Sequence, residues 1–265
     1  MENISGNFHT TKLETQVVLD FLKKLKIDIS SCSVEKFGQT VDGQETNARS
    51  VGDVYVKFKD KTFLLFEIKE ESEKRINQYN QLGIDFISAF QFKPNAHFKS
   101  GIHNPSEYSK FIQSVDVNAS SFKWGKLCYS LSDIWIFYCR DLNGNYIFLE
   151  GYSYRKMCET HFFEYLKNNC QFAINNKSSD QLSTNDTWCS ATFFIDKDKM
   201  KHYQINGQED LYYNDSNFTK RAVYDGITNH QCIDCGTIVS DRVYDFCVKH
   251  FNSNCYCMDC QSKHK

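Results

Sequence analysis

Asp53 and the run Glu67-Ile68-Lys69 set two carboxylates and an ammonium on segments with strand character. Alternate side chains of a strand share a face, so Glu67 and Lys69 point together and Ile68 points away. Val54–Phe58 and Thr62–Ile68 flank Lys59-Asp60-Lys61, which reads as strand, turn, strand. Antiparallel pairing through that turn brings Asp53 beside Glu67. Paired carboxylates suit hard divalent ions, Mg²⁺ or Mn²⁺, which they share with water and phosphate oxygens. A neighbouring lysine can orient or help deprotonate an attacking water and balance charge at a phosphate. The pattern suits metal-assisted phosphodiester hydrolysis. The strand carrying Glu67 is apolar on both faces through Phe63-Leu64-Leu65-Phe66, so it reads as central, and charges at its end need partners or work.

A second chemistry lies near the end of the chain. Of 12 cysteines, Cys232, Cys235, Cys247, Cys255, Cys257 and Cys260 crowd together, while Cys32, Cys128, Cys139, Cys158, Cys170 and Cys189 are scattered and read as ordinary thiols. Cys232-Ile233-Asp234-Cys235 and Cys257-Met258-Asp259-Cys260 form two CxxC knuckles, with Gly236 permitting a tight turn after the first. Thiolates are soft and favour Zn²⁺, and four of them close its tetrahedron. The expectation is one structural zinc on Cys232, Cys235, Cys257 and Cys260. An alternative set uses Cys247 and His250 with the first knuckle, leaving Cys255, Cys257, Cys260 and His264 for a second ion. Metal-free thiols are the remaining reading. A segment this short and polar has little core of its own, so an ion would supply much of its folding free energy.

The elements that must position these residues follow from periodicity. Leu13, Val17, Val18, Phe21, Leu22 and Leu25 recur at helical spacing across residues 11–27. Residues 38–50 are polar and loop-like. Residues 70–81 read as a helix with Glu70 and Glu71 in solvent, and 83–90 as a strand. Residues 132–139 and 146–151 flank Asp141-Leu142-Asn143-Gly144-Asn145, a hairpin signal. Residues 154–168 read as a helix, 175–187 as a loop, 191–195 as a strand, and 196–202 as the start of a short helix. The 265 residues suit one large domain with an appendage, divided here into residues 1–225 and 226–265.

Composition narrows the partners. With 41% hydrophobic residues a core is assured, and a formal net charge of −2 excludes a global basic field. Any nucleic acid must be held by a local rim, drawn from Lys69, Arg75, Lys93, Lys99 and Arg49. His97, Phe92 and Phe98 lie near two of these lysines, though a solvated loop accounts for them more simply. Trp124, Tyr129, Trp135, Tyr152 and Tyr154 could stack on bases, but core packing explains most of them. His97, His103, His161 and His202 lack metal spacing and read as structural or exposed. No run of 18 apolar residues occurs and the first eleven residues are polar, so a soluble, cytoplasmic protein without a membrane partner is expected.

At Asp53 and Glu67-Ile68-Lys69 the sequence resembles the PD-(D/E)XK nuclease superfamily, which includes restriction endonucleases, junction resolvases and repair nucleases. The position before Asp53 is Gly52 rather than proline. The resemblance implies an α/β fold, a restriction-endonuclease-like central mixed β-sheet flanked by helices, to which the cysteine segment is appended. It implies that Asp53 and Glu67 hold Mg²⁺ and that Lys69 positions the attacking water. Glu14, on the first helix, becomes an auxiliary ligand, with Gln78 a weaker candidate. The implied activity is hydrolysis of DNA phosphodiesters, by a restriction, phage or mobile-element, or defence nuclease that could act as a homodimer. The alternatives are a non-catalytic nuclease-like module that binds nucleic acid or protein, and a zinc protein acting only through protein contacts.

Overall fold

A computed structural model describes residues 5–30, 32–36, 53–94, 96, 98–119, 121–177, 188–214, 232–235, 243, 246–247, 250–251 and 254–264. The polar stretch 38–50, Gly52, Arg49, His97, Gly236 and the proposed boundary at 225 lie outside them, as do residues 178–187.

Helix α1 (Ser5–Lys24) follows the predicted periodicity, and its Val17, Val18, Phe21 and Leu22 are buried. They pack on one face of a mixed sheet, against Val54, Val56, Leu64, Phe66, Ile134, Ile136 and Tyr138. The strands of that sheet are β1 (Ser33–Lys36), β2 (Val54–Lys57), β3 (Phe63–Glu70), β7 (Ile134–Arg140) and β8 (Tyr146–Ser153). Their spatial order is β1-β2-β3-β7-β8, and only β3 and β7 run parallel. Strand β3 is therefore central, as its apolar run requires. Asp133 fastens the parallel junction, its carboxylate accepting from the Leu65 N–H at 2.9 Å and from the Asn214 amide. The hairpin between β7 and β8 turns at Asp141, which accepts from the N–H groups of Asn143 and Asn145.

The expected α/β fold with a mixed sheet and flanking helices is present, and a second five-stranded sheet packs beside the first. Its strands are β4 (Gln81–Phe90), β5 (Gly101–His103), β6 (Lys123–Trp124), β9 (Gln171–Lys177) and β10 (Trp188–Asp196). They run antiparallel throughout in the order β5-β9-β10-β4-β6. The larger core is shared between the sheets: Trp135 and Phe137 of β7 meet Leu82, Ile84 and Phe86 of β4, with Phe193 of β10 stacked 4.1 Å from Phe86. Strand β9 escapes a sequence reading because Asn175-Asn176-Lys177 reads as loop, yet its Phe172 and Ile174 are buried.

The helices after β3 are shorter than expected. Strand β3 runs on to Glu70, and the helix expected over 70–81 contracts to α2 (Glu73–Asn77), capped by Ser72. The helix expected over 154–168 is two, α5 (Tyr154–Glu159) and α6 (Phe162–Asn169), broken at His161, whose φ is 52°. Between the sheets' strands lie α3 (Tyr108–Ser114) and α4 (Lys126–Tyr129). Helix α7 (Lys197–Met200) follows β10, and α8 (Met258–Gln261) belongs to the cysteine segment. Trp135, Tyr152 and Tyr154 are fully buried, so the core reading of these aromatics holds.

Candidate active site and metal centre

The hairpin of β2 and β3 sets Val54 opposite Phe66, so Asp53 emerges next to Glu67. The Asp53 N–H donates to the Phe66 carbonyl at 2.7 Å, and its Oδ2 accepts from the Ile68 N–H at 2.9 Å. Its other oxygen, Oδ1, faces Lys126. Glu67 lies on the face that carries Trp135 and Phe137, turned toward the second sheet, and is only 3% exposed.

The partner of this pair is a residue that the motif does not contain. Lys126 Nζ lies 2.7 Å from Asp53 Oδ1 and 2.6 Å from Glu67 Oε2, donating to both. Two carboxylates thus converge on one cation. Burial and then the Asp53 charge raise the Glu67 carboxyl to about 7, while Lys126 and Lys69 pull it back. Burial works against the Lys126 charge, but Glu67 and Asp53 outweigh it and hold the ammonium protonated beyond the ordinary lysine range. Burial beside a second carboxylate therefore favours the protonated form of Glu67.

Lys69 shares this face but pairs elsewhere. Its Nζ is 3.4 Å from Asp85 Oδ2 on β4 and 5.5 Å from the Trp135 ring centre. Asp85 is in turn fixed by Thr192 Oγ1 at 2.6 Å, from β10. Asp85, Thr192 and Lys126 all come from segments that strand alternation around Glu67 says nothing about.

Glu14 is placed apart. It lies next to Leu13 on α1, which packs on the face opposite Glu67, and its charge acts on the Tyr138 hydroxyl of that face. The structure therefore does not bring Glu14 to the carboxylate pair. Gln78 is exposed at the end of α2. The expectation that Glu71 is solvated is overturned: it is 4% exposed, accepting from the Gly83 N–H at 2.7 Å and from Arg75 Nη1 at 2.6 Å. Arg75 is engaged in that ion pair and lies over the Phe194 ring of β10, so it ties α2 to the second sheet. Lys93 Nζ donates to the Gln113 carbonyl, while Lys99 is exposed.

No protein-family model and no curated protein matches the chain. Among solved structures, the restriction endonuclease MspI in complex with its cognate DNA is similar at 10% identity. That match has a TM-score of 0.27 and covers 67% of this chain and 78% of the other. A likeness this slight carries no argument. The weight rests on the geometry.

The cysteine segment assembles four ligands. The Sγ atoms of Cys232, Cys235, Cys257 and Cys260 all lie within 4.8 Å of one another. Four thiolates 2.3 Å from a central zinc fit that spread, so the donor set suits the ion. Among the described residues the alternative sets do not come together in this way. Cys247 is buried and engaged by Tyr256, donating to its carbonyl at 3.2 Å and accepting from its N–H at 3.3 Å. His264 bonds Asp234 Oδ2 at 2.7 Å and stacks on Tyr256. The His250 ring lies tilted against Phe246.

Proposed function

We propose that this protein is a divalent-ion-dependent endonuclease that hydrolyses DNA phosphodiester bonds. One observation carries the reading: Asp53 Oδ1 and Glu67 Oε2 converge on a single cation position, 2.7 and 2.6 Å from the Lys126 nitrogen now there. Mg²⁺ or Mn²⁺ held by these oxygens would neutralise charge developing on the phosphate and make a bound water nucleophilic. Asp53 is oriented by the Ile68 N–H, and Glu67 is kept dry by Trp135 and its neighbours. Lys69, steadied by Asp85, orients the attacking water from the same face. A structural zinc on the four clustered cysteines orders the C-terminal segment.

Lys126 also favours a second reading. A carboxylate pair already matched by an ammonium is a stable ion cluster in its own right, as in a nuclease-like module retained for binding nucleic acid or protein. Cleavage separates the two. Labelled duplex, branched and single-stranded DNA, and RNA, are incubated with the purified protein and Mg²⁺. Cleavage of DNA that is lost in Asp53→Asn and Lys69→Ala, with the fold intact by circular dichroism, supports the endonuclease. In Ca²⁺, binding should weaken as salt is raised, since each neutralised phosphate releases counterions. Intact substrates throughout leave the binding module as the reading. A second copy of the chain, presenting a second set of lysines, would strengthen the hold on DNA.

A further inference from the structure

Lys126 is not placed by chance. It begins α4, and Gly125 before it donates its N–H to the Phe86 carbonyl of β4 at 2.8 Å. Cys128 Sγ donates to the same carbonyl at 3.5 Å, and the Leu127 carbonyl accepts from the Tyr154 hydroxyl at 2.7 Å. The short helix is thus fastened at both sides to the core. From it a lysine, with its side chain 24% exposed, reaches one oxygen of each carboxylate.

Those oxygens are the ones a divalent ion needs. Mg²⁺ binds oxygen at about 2.0–2.1 Å and Ca²⁺ at about 2.3–2.6 Å, so an ion on both carboxylates would sit where Nζ is now. Two cations at one point repel strongly in a partly dry site. The Lys69 ammonium on the same face pairs with Asp85 instead. Lysine carries a compact charge on a flexible stem, which can swing outward while α4 stays docked.

We propose that Lys126 is the built-in counter-cation of the Asp53–Glu67 pair and exchanges with the divalent ion. With no ion bound, the ammonium keeps two crowded carboxylates from repelling each other. When an ion takes the pair, Lys126 leaves it and stands as a free ammonium at the rim of the same site, where an anionic ligand meets it. Lys126 is then a positioning residue, and the divalent affinity of the site is set by competition with it. The inference rests on the reading of Asp53 and Glu67 as ion ligands.

Calorimetric titration with Ca²⁺ alone tests it, since a hard ion avoids the cysteine cluster. Lys126→Gln keeps a hydrogen-bond donor but removes the charge. Expected is binding by the wild-type protein that Asp53→Asn abolishes, and affinity about tenfold or more tighter in Lys126→Gln, since a competing charge-assisted contact has gone. Equal affinity in wild type and Lys126→Gln overturns the exchange and leaves the ion-site reading standing. Absence of Asp53-dependent Ca²⁺ binding in both proteins overturns the two together.

A second measurement uses only the wild-type protein, in case the variant does not fold. Lysine footprinting with an amine-reactive reagent, read by peptide mass spectrometry, should label Lys126 more with saturating Ca²⁺ than with a chelator. Labelling of Lys126 that is indifferent to Ca²⁺, in protein shown to bind it, overturns the exchange.

Discussion

The backbone of Gly125 passes so close to Asp85 that a Cβ on Gly125 would lie 2.3 Å from the Asp85 carbonyl oxygen. The Gly125 φ of −79° is open to any residue, so glycine is required for space and not for conformation. That close approach seats α4 on β4 and so aims Lys126 at Asp53 and Glu67.

Gly125→Ala must push α4 away from backbone atoms that cannot yield. Overpacking of this kind destabilises by about 1–3 kcal/mol. Urea unfolding should show that loss, and the mobility of α4 should rise in hydrogen exchange at Lys126–Ser130. Unchanged stability would mean that α4 lifts from β4 without penalty and that its seat does not fix Lys126.

Stability of the ion-free protein should fall as pH rises between about 4.5 and 7. Glu67 has an ordinary value of 4.5 and is raised to about 7 in the folded chain, so the folded state holds the extra proton across that window. Each further pH unit then lowers stability, by at most about 1.4 kcal/mol for one group. Urea unfolding at a series of pH values measures the slope, and Glu67→Gln should flatten it. An identical slope in the variant would assign the effect to another group.

Zinc content discriminates between the ligand sets. Elemental analysis should find one zinc per chain, lost in Cys232→Ser and in Cys260→Ser while circular dichroism still reports the sheets. Cys247→Ser should keep its zinc, because Cys247 is engaged by Tyr256 and by the Gln261 amide. Loss of zinc in Cys247→Ser, or its absence from reduced wild-type protein, contradicts the four-cysteine centre.

The sequence by itself determined the features that depend on neighbours along the chain. The turn at Lys59-Asp60-Lys61 and strand alternation fix Asp53 beside Glu67, because antiparallel pairing has a short loop and a period of two. The apolar run of β3 made that strand central, the α1 stripe reported one buried face, and the CxxC spacing selected the four clustered cysteines. What tertiary structure alone decided involves contacts distant in the chain. Lys126 is 59 positions from Glu67, and nothing in the local pattern Gly125-Lys126-Leu127-Cys128 marks it as the partner of two carboxylates. Glu14 sits at helical spacing that looks suitable, but the face on which α1 packs carries it away from them. Glu71 reads as solvated until the Gly83 N–H and Arg75 close around it. Charges are assigned by the partners that folding delivers, since burial of a carboxylate is tolerated only where a donor or cation meets it. Local sequence specifies which groups could react, and the packing of β4 and α4 over β3 decides which cation they meet.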